Sequence, residues 1–303
     1  MKRYTMILLA MIALIATMAL VAACGDDDDD NGGSNKPTTA PTQAAAPTFA
    51  ADSTMGKIVA KGKLTVGVKF DQPGFGLKDP VTGKVDGFDV QVAKEIGKAL
   101  GLKEDQIEFV EAVSANRIPF LQEDKVDLVI ATMTINADRK TQIDFSRPYY
   151  LAGQSILVKK DNTTIKTVDD LNGKNVCSVQ GSTSEKNVKA KAPQANLLSL
   201  TGYAACVDAM KSGRVEAVST DDIILAGFAA SDNTLKLVGG QFTQEPYGIG
   251  VKKGKTDFVQ FIDALLAKEL SDGTWDKIYD KYLGKVEGLP KAADARAKLP
   301  ATN

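Results

Sequence analysis

Two hydrophobic rhythms alternate along the chain from residue 63 onward. Short unbroken apolar runs read as buried strands, and apolar positions three and four apart read as helices. The first strand is expected at 63–68. The next segment, 88–100, carries Phe88, Val92, Ile96 and Ala99 on one helical face and stops at Gly101. A strand at 107–110, a short helix at 116–122 and a strand at 126–131 follow. A strand at 155–159 opens a second set. It continues with a short helix at 167–171, a strand at 174–179, a helix at 184–191 and a strand at 196–200. A helix at 203–212, a strand at 217–219, a helix at 222–230 and a strand at 235–238 complete that set. A strand at 247–251 and helices at 257–271 and 274–282 close the pattern. Such alternation belongs to α/β proteins whose sheets are covered on both faces. The stretch 289–303, rich in Ala, Lys and Pro, is expected to be a loose tail.

The N-terminal segment has a different texture. Lys2 and Arg3 precede an uncharged apolar run from Met6 to Ala23, which ends in small residues before Cys24. This is the form of a secretory signal. The small residues directly before a Cys resemble a bacterial lipobox, which implies lipid on Cys24 and removal of residues 1–23. A membrane anchor is the alternative, since the run is about as long as a marginal span. Either places the body outside the cytoplasm. Five aspartates, Asp26 to Asp30, and a polar stretch rich in Gly, Pro and Thr cannot bury a core, so 24–56 is expected to be a disordered tether. The Asp run lacks the spaced turn geometry of a calcium loop and reads as a solvated spacer.

Charge and composition then narrow the chemistry. From Lys57 on, 34 basic and 32 acidic residues nearly cancel, leaving no basic field suited to nucleic acid. There is no histidine among the 303 residues. That removes Ser-His-Asp and Cys-His catalysis and the usual His-bearing metal sites, and no cofactor is expected.

The most informative stretch is 129–150. A strand ending at Ala131 would place the hydroxyls of Thr132 and Thr134 on one face. Asn136 suits the cap of a short helix with Arg139 in its first turn, where the helix dipole disfavours a cation. A guanidinium so placed is free to aim at an anion, and a planar fork beside two hydroxyls suits a small carboxylate. A surface arginine beside two strand-end threonines is the plain alternative, and this segment alone does not choose.

Three stretches in this order, 87–96 beginning Gly87-Phe88-Asp89, 132–146 containing Arg139, and 213–222 ending Asp221-Asp222, resemble one family. Over about 57–284 the chain is similar to extracytoplasmic solute-binding proteins of the polar amino acid class, the receptors of ABC importers, and most of all to their glutamate-binding subgroup. The resemblance implies a two-lobed periplasmic-binding-protein type II fold, two α/β lobes joined by two hinge strands. Lobe 1 would comprise 57–150 and 247–288, and lobe 2 would comprise 151–246, with crossings near 151–155 and 244–247. The ligand would lie between the lobes at strand ends.

The same resemblance assigns roles. Arg139 would hold the α-carboxylate as a bidentate fork, helped by Thr134 and neighboured by Thr132. From lobe 2, Gly181 would allow close backbone approach, and Thr183, with Ser182 second, would donate to the same carboxylate. Helix capping is the alternative for these hydroxyls. Asp221 would take the ammonium; capping the following helix is its alternative, a task Asp222 serves equally well. Lys69 and Arg117 would face a distal carboxylate, which favours L-glutamate or L-aspartate over glutamine because buried charge needs a partner. The alternatives are structural ion pairs, Arg117 with Glu111 or Asp127 and Lys69 with Asp71. Phe70 and Phe75 are candidates for the cleft wall or for core packing.

With Cys24 lipidated, Cys177 and Cys206 remain, and two cysteines of an exported protein commonly bond to each other. The glutamate-binding subgroup implies the same bond; two buried free thiols are the alternative. An ABC permease, a membrane held through the lipid, and a monomeric state are expected. A glutamine receptor is the alternative ligand assignment. A dehydratase on the same fold is the enzymatic alternative, for which the chain offers Asp221 and Glu185 but no histidine.

Overall fold

The structure, a computed structural model, describes residues 47–300. The signal segment, Cys24 and the tether as far as residue 46 lie outside the described residues. The tether ends sooner than expected. Phe49 packs edge-on against Phe261 with ring centroids 5.6 Å apart. Helix α1 (Thr54–Lys61) follows, capped by Ser53, whose hydroxyl oxygen accepts from Gly56 N. Thr54 anchors it by donating from backbone and hydroxyl to Asp257 at 2.6 and 2.8 Å.

The next elements build the first sheet and its cover. They are β1 (Leu64–Val68), a meander of β2 (Asp71–Gln72), β3 (Gly76–Lys78) and β4 (Val85–Asp86), and then α2 (Phe88–Ala99) and β5 (Ile107–Glu111). Then come α3 (Arg117–Gln122), β6 (Leu128–Val129), α4 (Ala137–Lys140) and β7 (Ile143–Phe145). Periodicity does not reveal the meander, because its strands are only two or three residues long. Strand β6 is shorter than the 126–131 expected from its apolar run. Thr132 adopts φ +46°, a left-handed conformation that turns the chain out of the sheet.

The chain crosses once through β8 (Tyr150–Ala152) into β9 (Gln154–Lys159). The second set is β10 (Asn175–Val179), α5 (Thr183–Lys191), β11 (Asn196–Leu200), α6 (Tyr203–Lys211), β12 (Ala217–Asp221), α7 (Asp222–Ser231) and β13 (Leu235–Val238). It returns through β14 (Glu245–Tyr247) to β15 (Gly250–Lys252), α8 (Thr256–Asp272), α9 (Thr274–Tyr282) and α10 (Ala292–Ala297). The single strand expected at 247–251 is thus two, divided at Gly248. The expected loose tail is also corrected. Helix α10 buries Ala292 and Ala295, and Arg296 bonds Asp276 at 2.8 Å.

Two five-stranded sheets result, ordered β5-β1-β6-β15-β7 and β11-β10-β12-β9-β13. In each, three neighbouring strands run parallel, and the strand entering from the crossing lies antiparallel beside them. The crossing strands β8 and β14 pair with each other, Tyr150 opposite Tyr247 and Ala152 opposite Glu245. The molecule is therefore two α/β lobes joined by a two-stranded hinge. Aromatic rings fill the hinge side of lobe 1: Phe75 meets Tyr150 at 5.6 Å, Tyr150 meets Tyr247 at 5.7 Å, and Phe88 meets Trp275 at 5.8 Å. Phe75 is fully buried among them, so its place is core packing.

Cys177 on β10 and Cys206 on α6, 29 positions apart in sequence, form a disulfide with Cα atoms 5.4 Å apart. Replacing both by Ser should lower the unfolding free energy of the ligand-free protein by about 2–4 kcal/mol. Urea unfolding measures this; a loss below about 1 kcal/mol would mean that the sheet–helix packing of lobe 2 holds α6 without the crosslink.

Candidate functional site

The residues singled out for the ligand lie at the C-terminal ends of parallel strands or in the segments that follow them. This is where open α/β sheets leave room for a ligand. Lys69 follows β1, Arg117 follows β5, and Thr132, Thr134 and Arg139 follow β6. Gly181, Ser182 and Thr183 follow β10, and Asp221 ends β12. The lobes face each other across these ends.

Lobe 1 presents three cations. Lys69 is 3%, Arg117 2% and Arg139 7% exposed. Lys69 Nζ donates to Ser114 Oγ at 2.9 Å. Arg117 donates from Nε to Ser114 O at 3.3 Å, and from Nη1 to Ala131 O and Thr132 O at 2.9 and 3.2 Å. Arg139 donates from Nη1 to Thr134 O at 2.7 Å and from Nη2 across the cleft to Gly181 O at 3.4 Å. Asn136 caps its short helix as expected, accepting from Arg139 N at 2.9 Å.

The structural ion pairs are not formed. Asp127 takes Lys61 at 2.8 Å, and Asp71 accepts from Ala204 N at 3.3 Å. Among the described residues, none of the three cations has a carboxylate within ion-pair distance. Burial drives Lys69 down to about 7, helped by the charge of Arg117, and drives Arg117 down to about 9. Arg139 is lowered as well, by burial first.

Lobe 2 and the hinge supply carboxylates. Asp221 makes no capping bond to α7; it accepts from Tyr247 Oη at 2.6 Å and from Ser184 Oγ at 3.5 Å. Burial raises it to about 8, with the nearby charge of Glu245 adding to the effect. Glu245, buried in β14, bridges both lobes. Thr134 Oγ1 donates to its Oε2 at 2.6 Å, while Asn187 Nδ2 and Thr243 Oγ1 donate to its Oε1 at 3.0 and 2.8 Å. Nothing in the sequence pattern singled out Glu245. Its one signal is its place before Pro246, which holds a residue extended.

The hydroxyls divide. Thr134 Oγ1 lies 3.4 Å from Thr183 Oγ1, so these two meet across the cleft. Ser182 is used as a helix cap, accepting from Glu185 N at 2.9 Å and donating to Val179 O at 2.7 Å. Thr132 does not join Thr134, because its left-handed backbone turns it inward. Its N–H donates to Asp89 at 2.9 Å and its hydroxyl to Gln72 Oε1 at 3.1 Å. The expected convergence of both threonines on one spot is thereby corrected. Gly181 has φ +77°, and a Cβ there would sit 2.8 Å from Ala115 Cα of lobe 1. Phe70 carries Lys78 Nζ over its ring at 5.1 Å. Glu185 is no free acid. Burial alone would raise it, yet bonds from Lys189, Ser199 and Gly181 N hold it below its ordinary value. A groove of about 350 Å³ marks the cleft mouth beside Thr134, Thr183 and Glu245, and Lys186 reaches Asp138 across its rim at 3.2 Å.

Residues 64–285 match the family of bacterial extracellular solute-binding proteins, family 3. The chain is 43% identical over 276 residues to the ABC transporter glutamine-binding protein GlnH of Bacillus subtilis, covering 91% of this chain and 96% of that one. It is 37% identical to the glutamate-binding protein GluB of Corynebacterium glutamicum over 238 residues, covering 75% and 80%. Among solved structures, an ancestral arginine-binding protein bound to glutamine aligns with a TM-score of 0.70 at 44% identity, covering 74% of this chain and 99% of that one. The chain belongs to this family. It is thus one of the bacterial extracellular solute-binding proteins.

Beneath the cationic wall, Asp89 is fully buried. It accepts from Tyr149 Oη at 2.7 Å and from Thr132 N, and burial raises it from 3.8 to about 7. A carboxyl raised on folding contributes stability that is complete below its unfolded value and is lost as pH rises through its folded value. The melting temperature of ligand-stripped protein should therefore fall as pH rises from about 4.5 to 7, and Asp89→Asn should flatten that decline. Scanning calorimetry across this window is the check; an unchanged slope in the variant would mean Asp89 is ionised throughout.

Proposed function

We propose that this receptor closes on L-glutamine, with L-glutamate as the second candidate. Arg139 takes the α-carboxylate and Asp221 the α-ammonium. The observation that carries the proposal is this pair itself. A buried guanidinium on one lobe faces a buried carboxylate on the other, and neither has an ion-pair partner among the described residues. A zwitterion supplies both missing charges at once. Thr134 and Thr183, which meet between the lobes, add hydroxyls at the carboxylate end.

The side-chain pocket is assigned to Lys69 and Arg117. Glutamine leads for two reasons. The relative named for glutamine is the more identical of the two described above, 43% against 37%. Lys69 is also lowered to about 7, so it is readily neutral in a closed cleft, while Arg117 already spends Nε and Nη1 on carbonyl oxygens. A neutral amide is then a sufficient partner. The specific observation favouring glutamate is the excess of buried positive charge on lobe 1, which a second carboxylate would offset. Closure is driven by the contacts the ligand makes with both lobes together. Lipid on Cys24 and the tether would keep the receptor near its permease.

The test is calorimetric titration of the protein with each common L-amino acid, after carried-over ligand has been removed by unfolding and refolding. Glutamine should bind at least about tenfold tighter than any other amino acid. Tight glutamate with weak glutamine would establish the second candidate, and silence toward all amino acids would sink both. Arg139→Ala should abolish binding of every amino acid. Lys69→Met should weaken glutamate at least about tenfold more than glutamine.

A further inference from the structure

Helix α6 begins without a cap from its own lobe. Gly202 holds the N-cap position, and no side chain of the usual kind bonds there from within the segment. The first turn is served from across the cleft instead. Asp71 on β2 of lobe 1 accepts from Ala204 N at 3.3 Å. The approach needs a residue without a Cβ, since one built on Gly202 would lie 2.5 Å from Asp71 Oδ2. The same segment makes a second close approach two residues later. Pro73 O stands 2.3 Å from where a Cβ on Gly227 would sit, inside helix α7. A glycine within a helix costs about 1 kcal/mol relative to alanine, so Gly227 calls for a packing reason. Pro73 supplies it.

We propose that residues 71–73 form a closure clasp, in which Asp71 caps α6 only when the lobes meet. The clasp stabilises the closed state whether or not an amino acid is bound. It sets how long a ligand is retained, and it leaves the choice of ligand to the side chains within the cleft. Asp71 is a positioning residue here. It bonds backbone of the opposite lobe, and it also lies near enough to act on the charge of Lys69. Those two effects separate by substitution, because Asn caps a helix about as well as Asp while carrying no charge.

The inference rests on the reading that the cleft closes on an amino acid, and its test has an arm that needs no ligand. Fluorophores on the two lobes report the closed fraction by single-molecule energy transfer, and stopped-flow mixing gives association and dissociation rates for glutamine and glutamate. Asp71→Ala should lower the closed fraction of ligand-free protein and speed dissociation about 5- to 30-fold, the effect of losing one helix cap. Association should be unchanged, and any shift in the glutamine-to-glutamate preference should be the same in Asp71→Ala and Asp71→Asn, because both remove the charge that acts on Lys69. Asp71→Asn should restore most of the loss, and Gly202→Ala should reproduce it. An unaltered closed fraction and dissociation rate in Asp71→Ala would overturn the clasp. So would a loss in Asp71→Asn as large as in Asp71→Ala. Should the protein bind no amino acid, the ligand assignment fails, while the ligand-free closed fraction still decides for or against the clasp.

Discussion

A cation taken out of water needs an anion, and among the described residues the three cations buried in lobe 1 have no carboxylate within ion-pair distance. Lys69, Arg117 and Arg139 sit at the ends of three strand–loop connections of the same sheet, and their protein partners are a hydroxyl and backbone carbonyls. Carbonyl dipoles soften the cost of burial without removing it. The cost shows in the titration behaviour, where burial lowers all three and pushes Asp221 on the facing lobe upward. Each of these groups is thus displaced toward its neutral form. The proposed zwitterion would reverse the displacement by giving each wall its counter-charge. The free energy released this way can pull two lobes together, because it is realised only when both walls touch the same small molecule.

The topology makes that closure a local event. Each lobe receives its crossing strand antiparallel within an otherwise parallel sheet, so the chain passes between lobes only through β8 and β14. The aromatic cluster stiffens the lobe 1 side of this ladder, while Gly153 and Gly248 sit at its two exits. A Cβ on Gly153 would press on Thr243 O at 2.7 Å, and one on Gly248 on the Ile135 side chain at 2.6 Å. Both exits are therefore places where the backbone approaches its neighbours more closely than a side chain would allow. Glu245 lies inside this ladder and still reaches Thr134 on one lobe and Asn187 on the other. Hinge and cleft wall are one structure, and a movement of β14 changes the surroundings of Asp221 through Tyr247.

How legible this was depends on the kind of signal. Arg139 was visible because a cation in the first turn of a helix needs a reason, whereas Lys69 and Asp221 were singled out by the family resemblance, an ion pair and a helix cap being their alternatives in the residues alone. The βα alternation was legible from the hydrophobic periodicity. What escaped depends on contacts distant in sequence or on single torsion angles. Thr132 looked like a strand residue until its left-handed backbone turned its hydroxyl to Gln72. Ser182 offered the same hydroxyl as Thr183, and only the position of α5 shows that it is spent as a cap. The meander has strands too short for periodicity, and α10 is short and polar enough to read as tail although Tyr279 and Asp276 hold it. Glu245 has no local mark beyond its place before Pro246, and Asp71 none for the contact it makes. Their partners lie 111 and 133 residues away in the chain.

These last two residues suggest how the work is divided. The side chains proposed to discriminate ligands, Lys69 and Arg117, follow parallel strands and are buried in the cleft. Those that bind lobe to lobe without a ligand, Glu245 at the hinge and Asp71 at the opposite sheet edge, grip hydroxyl, amide and backbone groups that are the same whatever amino acid is present. Their contribution to closure is common to every ligand and drops out of any ratio of affinities. A receptor built this way can change what it recognises by replacing Lys69 or Arg117 while keeping the balance between open and closed. It can equally change how long it holds a ligand by altering the cap that Asp71 gives to α6. The physical reason is separation. The cap on α6 and the side-chain pocket share the same closing motion through different atoms, while Thr134 belongs to both the hinge and the cleft.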